Sequence, residues 1–311
     1  MTRRAAIAVF LLLIGAIGAV IAWQAGRDPL SSLPRPHHGL AADRAPPVLA
    51  GGRRLEHVVL HDDARGDIGI SVSLPDPLPA GTLPILVVLG GLGTGESNIR
   101  SLTDAGGVAI VGYDWPMPVR FYDGPASFFR IAKLYRRLMA VPAQASSAID
   151  WAAGQPWADR RRISLLGFSL GALAAPAIED VAERDGQAIG WTILAYGGAP
   201  FGALVAANPH VRPGWVRALL APIVDLLLAP LQPTRHLAGL SSRFLVLEGA
   251  DDTLIPAAAR ARLRDAVPQP KTIWDFDGDH IGVGPDKLAL LQQVIARSRA
   301  WLAEQGAIDP P

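Results

Sequence analysis

Within a few residues the stretch ISLLGFSLGALAAPAIEDVAER, residues 163–184, changes its period. ISLLGF reads as a short buried strand and SLGALAAPAIEDVAER as a helix. The join is G-F-S-L-G, so Ser169 occupies a strand-to-helix turn between Gly167 and Gly171. A turn this sharp holds its central residue in a strained conformation that projects the side chain above a sheet, and the flanking glycines leave room for neighbouring backbone. Ala172, Ala174 and Ala175 let the helix pack close, and its N-terminus places N–H donors and partial positive charge beside the serine hydroxyl. Pro176 inside the helix runs against the pattern. Taken alone, the five-residue motif is also compatible with an ordinary turn serine.

The rest of the 311-residue chain supplies the layers that such a turn needs. RLEHVVLH and DIGISVSL read as a leading strand pair, antiparallel if adjacent. PILVVLGG, GVAIVGYD, ISLLGF, GWTILAYGG, RFLVLEG and KTIWDF read as short buried strands. Helical patterns fall between them at about residues 97–105, 142–153, 170–184, 256–266 and 285–304. The expected fold is α/β, a mostly parallel sheet of about eight strands with helices on both faces.

A serine hydroxyl is a weak nucleophile and needs a base, most often a histidine oriented by a carboxylate. RFLVLEGADDTLIP places Asp251 and Asp252 after the penultimate strand, and KTIWDFDGDHIG places His280 after the last. Loops beyond the C-terminal ends of parallel strands share one sheet edge, so the three groups can converge there. The order Ser, Asp, His is the one that accompanies this kind of turn. A surface histidine is the alternative reading of His280. His37 and His38 lie in a proline-rich stretch, His57 and His61 in the leading strand, and His210 and His236 in an insertion. Asp275, Asp277 and Asp279 lack the spacing of a calcium loop and read as an acidic loop flanking His280.

GFSLG, GADDTLIP and GDH, in this order and spacing, resemble the α/β-hydrolase superfamily over residues 54–304. The resemblance implies an α/β-hydrolase fold and a serine hydrolase with Ser169, Asp252 and His280 as catalytic residues. The family's acid lies four residues before a proline, which selects Asp252 before Pro256, with Asp251 as the runner-up. LGGLGTG departs from the family's frequent His-Gly pair by carrying Gly90 and Gly91. Aligning the pairs implies that the backbone N–H groups of Leu92 and Leu170 form the oxyanion hole.

Residues 5–23 form an uncharged run of 19 residues behind Arg3 and Arg4. As a helix this is about 28 Å long, near the thickness of a bilayer core. It reads as a membrane anchor or a signal segment. Arg3 and Arg4 keep the N-terminus in the cytoplasm and place the remaining chain outside. Residues 24–53, with five prolines before Gly51, read as a poorly ordered tether, and His37 and His38 as part of a solvated linker.

Net charge of +1 suggests no nucleic-acid partner, and the absence of cysteine rules out disulfides and thiolate chemistry. No cofactor and no metal is expected. Residues 201–242 exceed what a minimal fold needs and read as a helical cap, apolar at Trp215, Leu219, Leu220, Ile223 and Leu226–Leu228. They fit either an apolar acyl substrate or packing on the core. A second insertion, residues 116–142, sets Phe128, Ile131, Leu134 and Leu138 opposite Arg130, Lys133, Arg136 and Arg137. It suits anionic lipid or a solvated face. The expected activity is cleavage of an ester or thioester, the alternatives being acyl transfer by the same triad or a non-catalytic binding domain.

Overall fold

Period-two alternation divides the chain's strands between two apolar layers. In β5 (Leu83–Leu89), Ile85, Val87 and Leu89 join one core cluster, while Leu86 and Val88 join the other. β9 (Arg243–Gly249) divides likewise, Phe244 and Val246 on one face, Leu245 and Leu247 on the other. The computed structural model describes residues 23, 26–91, 94–100, 102, 105–116, 131–209, 211–282 and 287–310.

The remaining strands are β1 (Ala42–Arg44), β2 (Val48–Ala50), β3 (Arg53–Leu60), β4 (Ile68–Pro75), β6 (Ala109–Tyr113), β7 (Ala158–Phe168), β8 (Trp191–Ala195) and β10 (Lys271–Phe276). Among the described residues they form a ten-stranded sheet in the order β1-β3-β4-β6-β5-β7-β8-β9-β10, with β2 also on β3. The leading pair β3 and β4 is antiparallel, in register from Arg53 opposite Pro75 to Leu60 opposite Ile68. From β6 to β10 all neighbours run parallel. The eight expected strands are thus β3–β10.

Helices α1 (Gly95–Ile99) and α7 (Leu288–Glu304) cover the face of Leu86 and Leu245. α2 (Ile131–Ala153), α3 (Leu170–Arg184) and α6 (Ala257–Ala266) cover the other. Between β8 and β9 lie α4 (Phe201–Ala207), α5 (Gly214–Leu227) and a series of short helical turns through Gly239. α3 runs unbroken through Pro176, because burial of Ala172, Ala175 and Ile178 in the main core outweighs the hydrogen bond that a proline cannot donate.

Four expectations need correction. The stretch 24–53 is not a poorly ordered tether. From Asp28 it lies on the domain, with Leu33 buried, β1 and β2 on β3, and an Asp28–Arg184 ion pair at 2.6 Å. Nor are His37 and His38 solvated linker. His37 is 3.0 Å from Asp62, and His38 bridges Asp150 at 3.1 Å and Asp185 at 2.9 Å, a pairing that raises its pKa. β10 is not a buried strand. It is the last in the sheet with one neighbour, and Ile273, Trp274 and Asp275 are exposed. Finally, α2 does not start at Pro142: among the described residues it covers Ile131–Ala153, continuing through that proline, with Lys133, Arg136 and Arg137 exposed to solvent. Residues 117–130, including Phe128 and Arg130, lie outside the described residues, as do 1–22. No helix among the described residues is long and apolar enough to cross a membrane.

Helix α3 also carries a carboxyl group into the core. Glu179 is fully buried, and its Oε2 accepts from Thr192 Oγ1 at 2.6 Å. Burial foremost, and then the charges of Glu183 and Asp180, push its pKa from 4.5 up to about 8. The folded chain therefore holds a proton that the unfolded chain releases. That contribution is complete below pH 4.5 and is lost as pH rises through about 8. Glu179→Gln is expected to flatten the fall in stability across this window, measured by urea unfolding at several pH values. Parallel pH profiles for the two proteins would contradict it.

Candidate active site

β7 ends at Phe168 and α3 begins at Leu170, leaving Ser169 alone to turn the chain. Its φ of 51° and ψ of −111° lie in the left-handed half of backbone space, which non-glycine residues rarely enter. Both motif glycines are sterically required. A Cβ on Gly171 would meet the Leu89 carbonyl oxygen at 1.9 Å, and one on Gly167 would meet the Gly171 backbone at 2.6 Å. The Ser169 N–H donates to Ala195 O at 2.9 Å, which fixes the turn to β8.

The loops after β9 and β10 meet this turn. Among the two candidate acids, Asp252 is the one brought to the histidine. With the imidazole proton on Nδ1, His280 donates to Asp252 Oδ2 at 2.8 Å, and Nε2 accepts from Ser169 Oγ at 2.9 Å. Asp252 and His280 are buried, while Ser169 is part-exposed. The other carboxylate oxygen of Asp252 accepts from the N–H groups of Leu254 at 2.9 Å and Ile255 at 2.8 Å. Asp251 is exposed, and its backbone N–H donates to Gly278 O. The arrangement can take the serine proton on Nε2 while the carboxylate stabilises the resulting imidazolium.

Asp279, directly before His280, links the two loops. Its Oδ1 accepts from Thr253 N at 2.9 Å and Thr253 Oγ1 at 2.8 Å, clipping the acid loop to the histidine loop. The Thr253 and His280 N–H groups and the Thr253 hydroxyl hold its pKa down at about 2. Lys287 Nζ donates to the His280 carbonyl at 2.8 Å. Among the described residues no three His, Asp or Glu side chains group to hold a metal ion.

Leu170 is the first residue of α3, where N–H groups lack an intrahelical acceptor, so its position suits the oxyanion role. Leu92 lies outside the described residues. On either side of it, Gly90 O accepts from Trp115 Nε1 at 3.2 Å and the Asp114 carboxylate accepts from the Gly95 N–H.

Sequence reasoning did not identify Tyr196. It is buried immediately after β8 at φ 59°, and its ring stands edge-on to His280 with centroids 5.6 Å apart. Burial and the nearby Asp252 charge push its hydroxyl pKa up to about 12, so the ring presents a neutral wall. An apolar cavity of about 600 Å³ lies elsewhere, between α7 and the sheet at Leu86, Ile110 and Leu166, and no triad residue lines it.

No protein-family model and no curated protein matches the chain. Solved structures do. An acetyl xylan esterase from Paenibacillus sp. aligns at 18% identity over 89% of this chain and 93% of its own, with a TM-score of 0.59. An acetyl xylan esterase from Thermoanaerobacterium sp. aligns at 13% identity over 86% and 90%, with a TM-score of 0.58. An S-formylglutathione hydrolase from Agrobacterium tumefaciens aligns at 16% identity over 84% and 99%, with a TM-score of 0.52. At these identities the likeness establishes the fold, and the chain has the α/β-hydrolase fold.

The two acids can be separated by the reactivity of Ser169 towards a fluorophosphonate. Asp252→Asn is expected to slow labelling by about 10³–10⁴-fold, because an amide there favours the wrong imidazole tautomer. Asp251→Asn is expected to label at nearly the wild-type rate. The reverse ranking would move the orienting acid to Asp251.

Proposed function

We propose that the chain is a serine hydrolase that cleaves a carboxylic ester or thioester through an acyl-enzyme. The observation that carries this reading is the continuous pair of contacts from Asp252 through His280 to Ser169, at 2.8 and 2.9 Å, on a strained strand-to-helix turn. The esterases and hydrolases that share the fold support it at the level of ester hydrolysis.

In the proposed reaction Ser169 Oγ attacks the acyl carbon as its proton passes to His280 Nε2. The developing oxyanion lies at the N-terminus of α3, with the N–H of Leu170 as one donor and that of Leu92 as the other. Collapse expels the alcohol or thiol, which takes the proton from Nε2, and leaves the acyl group on Ser169. Water attacks this ester with His280 again as base, and release of the acid restores the serine. Asp252, fixed by two N–H groups of its own loop, keeps the imidazole in one orientation throughout.

Residues 5–23 insert in a bilayer in this reading, with Arg3 and Arg4 on the cytoplasmic side and the hydrolase domain opposite.

Ser169→Ala is expected to lower hydrolysis of p-nitrophenyl esters by about three orders of magnitude or more, with an unchanged unfolding midpoint. Assaying wild type and variant on acyl chains of graded length gives the preferred substrate as well. A folded variant with near wild-type turnover would place the nucleophile elsewhere.

A further inference from the structure

Helix α5 turns its apolar side away from the domain. None of its residues is buried. Trp215, Leu219, Ile223 and Leu227, four residues apart, are 69%, 58%, 43% and 48% exposed, and Ala218, Leu220 and Pro222 between them are exposed as well. Its two charged side chains are engaged elsewhere. Asp225 accepts from Gly202 N at 2.7 Å and Gln232 Nε2 at 2.6 Å, and Arg217 donates to Asn208 O at 3.1 Å. What remains is an uncharged strip about 20 Å long. A continuous apolar surface of this kind marks contact with another apolar phase.

The path of the chain indicates which phase. Leu228 and Leu231, directly after α5, pack with Leu30 and Leu33. Arg235 donates both to Ala229 O at 3.0 Å and to the Arg27 carbonyl. The Arg27 guanidinium in turn lies 4.5 Å over the exposed indole of Trp23, the last residue of the apolar run 5–23. That run therefore joins the domain beside the C-terminal end of α5. The step from Trp23 to Arg27 spans at most about 14 Å.

We propose that α5 docks on the bilayer that receives residues 5–23, its strip from Trp215 to Leu227 seated among the acyl chains of the leaflet on the domain's side. The proposal rests on the anchor reading above and is independent of the catalytic one. A helix lying in the membrane plane buries an uncharged face of this kind and needs no span of its own. The three-residue connection between Trp23 and Arg27 brings α5 to the surface without a further binding partner.

The chain has no cysteine, so Leu219→Cys, Ile223→Cys and Arg161→Cys can each carry a bimane probe in the full-length protein. Arg161 lies in the first half of β7, at the other end of the sheet from Ser169. In vesicles of phosphatidylcholine and phosphatidylglycerol, doxyl-labelled lipid is expected to quench the probes at 219 and 223 about threefold or more relative to 161. Equal quenching at the three positions, in vesicles that keep the protein through an alkaline wash, overturns docking and leaves the anchor standing. Protein that washes off overturns both. Probes at 219 and 223 that are unquenched yet blue-shifted report cover by protein, a second copy or residues 117–130, and overturn docking as well.

Discussion

The contact between the start of α3 and the end of β5 is the constraint on which the sheet edge carrying Ser169 depends. Backbone lies directly on backbone there, since a Cβ on Gly171 would be 1.9 Å from the Leu89 carbonyl oxygen. Only with the helix this close can a single residue carry the chain from β7 into α3. The conformation of Ser169 at φ 51° is the result. Such a residue costs about 1–3 kcal/mol. Burial of Ala172, Ala175 and Ile178 in the main core, together with the hydrogen bond from Ser169 N–H to Ala195 O, offsets it. The strain is thus maintained by the packing of the whole helix, and its outcome is a hydroxyl above the sheet edge.

The acid and the base are fixed more locally. Asp252 divides its two oxygens, one receiving two N–H groups from its own loop and the other facing His280. A carboxylate tied in this way cannot rotate freely, so it sets the plane of the imidazole. The Thr253–Asp279 clip then ties the acid loop to the histidine loop, and the Tyr196 ring stands edge-on to His280. Loops from two adjacent strands therefore behave as one rigid piece, as a proton relay with little reorganisation requires.

Local pattern made β3–β10 and the turn at Ser169 legible, because each depends on a short stretch, an apolar β-branched run or a Gly-Phe-Ser-Leu-Gly turn, whereas the choice of Asp252 over Asp251 came from the resemblance to the α/β-hydrolases. What escaped depends on partners distant in sequence. His37 and His38 look solvated until Asp62, Asp150 and Asp185 are placed beside them. β1 and β2 are three residues each amid prolines and exist because β3 offers its edge. KTIWDF reads as a buried strand, yet exposure of Ile273 and Trp274 follows from its place at the end of the sheet. Tyr196 has no local signature, since its contact with His280 arises where separate loops meet. The apolar content of α5 was evident from its residues, but a helical stripe does not disclose whether it faces a core or the outside.

Folding of the proline-rich stretch onto the domain changes the mechanical relation between the domain and residues 5–23. A flexible linker of 30 residues would let the domain wander about 30 Å from its attachment. Instead Asp28 is paired with Arg184, Leu33 is buried, and His37 and His38 are held by carboxylates, so the stretch is part of the domain's own surface. The domain's ordered part thus reaches back to Arg27, whose carbonyl is tied to Arg235 next to the end of α5. Orientation then follows from attachment. In the anchored reading the segment between β8 and β9 stands nearest the bilayer. Gly198, buried at the start of that segment, packs against Ile255, whose N–H holds Asp252, so the segment that carries α5 also touches the loop that faces His280.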